Sequence, residues 1–129
     1  VVTSGAIRVA DQLKNLTRYL YLLGGVAKGI EAADAAARRK EASPAIIDQT
    51  NQSKVAVRTT LQNVRLGLDK LELDFRTNTE LNRYYIRLAG VASGAAAAEE
   101  QAAANQFDRA GRTLLEVASR LTDVLLEMR

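Results

Sequence analysis

From Val57 to Phe75 the apolar residues fall at Val57, Leu61, Val64, Leu68, Leu71 and Phe75, in alternating steps of four and three. On an α-helix advancing about 100° per residue, these side chains gather within an arc of roughly 80°, which predicts a helix buried on one face by other helices. The same spacing recurs at Ala6, Val9, Leu13, Leu16, Leu20, Leu23, Ala27 and Ile30, and predicts a first helix from Ala6 to about Lys40. Ser43-Pro44 marks the next start, because Ser caps a helix N-terminus and Pro at the first helical position forfeits no hydrogen bond. The second helix is therefore expected from Pro44 to Phe75.

Thr77-Asn-Thr-Glu80 has the form of a capping box, Thr77 serving the new helix and Glu80 reaching back. A third helix over about 78–104 follows, with its seam at Leu81, Tyr84, Leu88, Val91, Ala95, Ala98 and Ala102. A rival reading fuses the second and third helices, since nothing in RTNTELN forbids helix. The polar Asn105-Gln-Phe-Asp108 predicts the last turn, with Asn105 or Asp108 as N-cap. The fourth helix, about 108–128, carries Ala110, Leu114, Val117, Leu121, Val124 and Met128. Three intrahelical pairs, Asp34/Arg38, Asp108/Arg112 and Glu116/Arg120, have favourable i,i+4 spacing. Four amphipathic helices joined by short turns predict an all-α, antiparallel up-and-down four-helix bundle.

Composition agrees with that architecture. A chain of 129 residues makes one domain, and 47% apolar residues with one Pro and no Trp favour helices over sheet. Eighteen basic against fifteen acidic residues leave a charge of +3 and a pI near 9.4, too slight an excess to imply nucleic acid. The absence of Cys removes disulfides and thiolate chemistry, and the absence of His removes the commonest general base and transition-metal ligand. No apolar run approaches the ~18 residues of a membrane span. Because the chain begins at Val1 rather than Met, a processed or trimmed form is expected.

Candidate chemistry is sparse. Glu72, Asp74, Glu99 and Glu100 lie off the seams and read as solvated carboxylates, so no metal, cofactor or acid/base site is expected. GGVAKG lacks the GK[ST] ending of a phosphate loop. Gly24, Gly25 and Gly29 nevertheless interrupt the first helix at about 1 kcal/mol each, for which a packing reason is expected. Tyr84 falls in a seam, while Tyr19, Tyr21 and Tyr85 are expected at its flank with wet hydroxyls.

Outward apolar residues carry more information. Leu66 and Leu73 sit about 160–180° from the second helix's seam. Leu22, Gly25 and Gly29 form another outward stripe, Ile86 with Gly90 a third, and Leu126 also points out. Two leucines on one face and a stripe without side chains read as docking surfaces. Arg58, Arg65, Arg83 and Arg87 flank them, as docking contacts or as solubilising charge.

The segments TLQNVRLGLDKLELDFRT (Thr60 to Thr77), LNRYYIRLAGVA (Leu81 to Ala92) and AAANQFDRAGRTLLEVASRLTDVL (Ala102 to Leu125) resemble the PsbQ-type extrinsic subunits of photosystem II, most of all their algal branch. The likeness lies in a Leu- and Arg-rich second helix, an Ala-rich end to the third, an N-aromatic turn, and spaced Leu and Asp in the last helix. It implies a non-catalytic, peripheral protein of the thylakoid lumen, docked on the photosystem II core and other extrinsic subunits. There such proteins help retain calcium and chloride and shield the manganese cluster. Plant members dock through a long, proline-rich N-terminal segment; no such segment occurs in these residues, so docking is expected through helix faces. Two other classes fit an amphipathic bundle: the periplasmic ligand-binding domain of a chemoreceptor or sensor kinase, and a lipid-surface binder whose helices open. Regular seams and capped helices favour a closed bundle.

Overall fold

The repeated three-four spacing produces long helices that pack by their seams. The computed structural model describes residues 2–41 and 43–128, and its helices are α1 (Val2–Arg38), α2 (Pro44–Thr77), α3 (Asn82–Leu88), α4 (Val91–Ala103) and α5 (Phe107–Glu127). No strand occurs among the described residues. The packed neighbours are α1 with α2, α2 with α4, α4 with α5, and α5 with α1, the square of an antiparallel bundle in which α3 and α4 together form the third arm. All six residues of the α2 seam are buried, as are the seven of the third arm and five of the six assigned to α5. Each large side chain buried this way contributes about 1.5–3 kcal/mol, so the seams hold the fold together.

The start of α2 is built as its sequence predicts. Pro44 occupies the first turn, and the Ser43 hydroxyl accepts the Ile46 N–H at 3.3 Å. The second and third arms are not fused: α2 stops at Thr77 and a turn precedes Asn82. No capping box forms there. Thr77 belongs to α2, and its hydroxyl donates back to the Leu73 carbonyl at 2.8 Å, while Asn78 Oδ1 accepts the Glu80 N–H at 3.0 Å. A helical Thr turns its hydroxyl toward its own preceding turn, so Asn78 takes the turn-forming role.

The third arm is broken rather than continuous over 78–104. Gly90 has φ +100, a left-handed conformation open to glycine, and α3 ends at the Ala89 cap before α4 restarts. Leu88 and Val91 on either side are both buried, so the seam crosses the break in register. The last helix begins at Phe107, one residue ahead of its expected start, with Gln106 rather than Asn105 or Asp108 as N-cap. Phe107 is thereby core rather than turn.

In α1 the buried stripe leans toward α2. Gly5 rather than Ala6 is buried at its start, Leu13, Leu20 and Ala27 are only partly covered, and Tyr19 enters the core at 3% exposure. Its hydroxyl is not wet but donates to the Val57 carbonyl of α2 at 3.3 Å. Burial raises the Tyr19 phenol well above its ordinary pKa. Tyr21 is exposed and Tyr85 half-buried, as flank positions should be.

The charged residues act mainly between helices. Asp34 pairs with Lys54 of α2 at 2.9 Å rather than with Arg38, and Arg120 donates to the Ala89 carbonyl rather than pairing with Glu116. Asp108/Arg112 forms as predicted at 2.9 Å. No internal packing reason exists for Gly24, Gly25 and Gly29, because a Cβ on any of them would meet nothing within 4 Å. The close approaches are elsewhere: a Cβ on Gly94 would lie 2.7 Å from Val117 Cγ2, and one on Gly67 2.8 Å from Gln12 Oε1.

Candidate docking surface

Because the α2 seam is anchored at both ends by Val57 and Phe75, the opposite ridge has no freedom to turn inward. Leu66 and Leu73 stand on that ridge, 50% and 48% exposed. Val55, 59% exposed, extends the same line three turns toward the N-terminus. Its eleven-residue spacing from Leu66 was a usable signal that the outward-stripe reading missed. At the other end Leu73 borders a recess of about 200 Å³ shared with Asp69, Glu72, Arg76 and Tyr85 of α3. The ridge is thus a line of three apolar residues ending beside a half-buried tyrosine.

The arginines expected to flank it are engaged with the protein itself. Arg65 bonds Glu99 of α4 at 2.5 Å and Asp69 at 3.3 Å. The hydrogen bond to Glu99, and next the charge of Glu99, raise the Arg65 pKa further. Arg58 donates one guanidinium N–H to the Ala103 carbonyl at 3.3 Å, while its buried Nε has no partner. Arg83 lies over the Tyr84 ring, 4.6 Å from the centroid, and donates to that residue's hydroxyl. Arg87 pairs with Glu127 of α5 at 2.7 Å. Spacing along one helix cannot reveal partners on another, so the contacts with Glu99, Ala103 and Glu127 were not legible in advance, whereas the i,i+4 spacing of Arg65 and Asp69 within α2 was a usable signal.

The off-seam carboxylates are likewise not simply solvated. Glu72 Oε1 accepts the backbone N–H of Gly90 at 2.9 Å and of Ala92 at 3.1 Å, supplying from α2 the cap that α4 lacks. Asp74 pairs with Arg8 of α1, and Glu99 with Arg65, whereas Glu100 is exposed as expected. Among the described residues no three acidic side chains converge as a metal site would need.

The other stripes lie apart from the α2 ridge. Leu22, 59% exposed, borders the α1–α2 groove with Tyr19 and Thr60, and Gly25 and Gly29 are exposed on the same helix. Ile86 is 81% exposed on α3, but Gly90 serves the break between α3 and α4. Leu126 is exposed on α5. A recess of about 650 Å³ opens between α1 and α5 over Leu20, Leu23, Ala27, Phe107 and Leu115. No described helix is long and apolar enough to cross a membrane. Comparison of the chain with protein-family models, curated proteins and solved structures returns no match.

Proposed function

We propose that the protein is a non-catalytic docking subunit of the PsbQ type, held on the lumenal face of photosystem II, where it stabilises the oxygen-evolving complex and helps retain calcium and chloride. The observation that carries this reading is the outward ridge of α2, with Val55, Leu66 and Leu73 on a line fixed by the buried seam behind it. The resemblance of the second, third and last helices supplies the partner. Bare glycines on α1 add a second surface: three of them weaken a helix with no internal compensation, and a neighbouring subunit approaching closely would provide one.

The test is Leu66→Ser/Leu73→Ser, rebound to photosystem II membranes stripped of extrinsic proteins. Covering an exposed leucine is worth about 1.5–3 kcal/mol, less the part already covered, so losing both should weaken rebinding by roughly ten- to a thousandfold. The melting temperature should hold. Wild-type protein that neither rebinds nor restores oxygen evolution at low calcium and chloride would refute the assignment. The sensor-domain reading has one observation in its favour: Gly5 at the start of α1 lies against Met128 at the end of α5, so both chain ends meet at one end of the bundle. It predicts membrane spans flanking residues 1–129 in the full gene and a small ligand in the α1–α5 recess.

A further inference from the structure

The two longest helices overreach the bundle. Glu31 of α1 lines the same recess as Phe107 and Asp108 in the first turn of α5, so 32–38 project about 10 Å beyond it at 1.5 Å per residue. On α2, Arg58 touches the carbonyl of Ala103, the last residue of α4, and Val57 is the last seam residue buried, so 44–56 extend about 20 Å past that level. The outcome is a two-helix prong standing clear of the α4–α5 turn.

Its end has a distinct chemistry. Pro44, Ala45, Ile46 and Ile47 form an exposed apolar run, the two isoleucines 47% and 39% exposed. Beside them stand Arg38, Arg39 and Lys40, all exposed. Glu41 answers Arg39 in an exposed pair at 3.1 Å, and among the described residues Arg38 and Lys40 have no ion-pair partner. Asp48 is exposed about one turn further into α2.

We propose that this prong seats in the interface of an anionic lipid bilayer, Ile46 and Ile47 entering below the headgroups and Arg38 and Lys40 pairing with phosphate. Interfacial segments bury their apolar residues about 5–10 Å into the headgroup boundary, no more than the prong projects. The tip therefore enters while the rest of the bundle stays outside. A convex tip carrying apolar and cationic residues side by side suits a deformable, negatively charged surface better than an acidic protein face, which would need a complementary recess. The seating requires no opening of the helices. It is also independent of the photosystem reading.

Sedimentation with phosphatidylcholine vesicles, with and without phosphatidylglycerol, tests this directly because no other protein is present. Binding should require phosphatidylglycerol and weaken with salt. One surface cation contributes about fivefold near an anionic leaflet, so Arg38→Gln/Lys40→Gln should lose roughly twentyfold or more. Ile46→Ser/Ile47→Ser should lose about tenfold or more. Both variants should melt like wild type, since all four side chains are exposed. Equal binding to both vesicle types, no binding to either, or wild-type binding by both variants would overturn the proposal. Should vesicles fail to bind while the variants lose attachment to stripped photosystem membranes, the tip is a protein contact and the lipid assignment is wrong.

Discussion

Glu72 gives the sharpest test of how the third arm is held. It sits on α2, yet its carboxylate accepts the Gly90 and Ala92 N–H groups at 2.9 and 3.1 Å, where α4 has no side-chain cap of its own. Removing an N-cap costs about 0.5–2 kcal/mol, and losing a negative charge from a helix N-terminus a further 0.3–1 kcal/mol. Both amides lie near the surface, so water recovers part of the loss. Glu72→Ala should therefore cost about 1.5–2.5 kcal/mol, and Glu72→Gln, which keeps an acceptor and drops the charge, about half as much. For a domain of this size the alanine variant should melt roughly 5–10 °C lower. Urea unfolding supplies the free energies, and amide exchange locates them, with protection lost first in the opening turn of α4. An alanine variant within about 0.5 kcal/mol of wild type, the range of a neutral surface change, would refute the capping role.

Leu68→Ala, at the fully buried centre of the α2 seam, should cost about 2–5 kcal/mol in the same urea experiment. Gly94→Ala should destabilise by about 1–3 kcal/mol because its Cβ would press on Val117, whereas Gly25→Ala, with open space around it, should stabilise by about 0.4–1 kcal/mol. If Gly25 also meets a neighbouring subunit, that stabilised variant should rebind more weakly. The Tyr19 phenol, raised by burial, favours the folded state while it is neutral; above the unfolded pKa of roughly 10 the unfolded chain holds fewer protons, so stability falls as pH rises. Tyr19→Phe should lack that part of the alkaline loss, as read from melting between neutral pH and pH about 11.

The seams of the second, third and last arms, half of the first arm's (Val9, Leu16, Leu23 and Ile30) and the Ser43-Pro44 boundary were legible in the sequence, because each depends on positions within one helix. Apolar periodicity records which side is buried, and a cap needs only its own first turn. By the same logic Leu66 and Leu73 could be placed outside from the phase of α2 alone. What tertiary structure decided were the events that need a second helix. Gly90 costs a continuous helix only about 1 kcal/mol, so RLAGVA by itself permits helix. The break is held by Glu72 from α2 and Arg120 from α5. Asp34 had two cations within reach, one four residues ahead and one across the hairpin, and the half-buried Lys54 took it where packing shields the pair. Tyr19 entered the core because α2 lies to that side of α1, a rotation no pattern within α1 specifies. The projecting prong follows likewise from where α4 and α5 end against α1 and α2: helix lengths are written locally, but their offset is set only when the arms pack together.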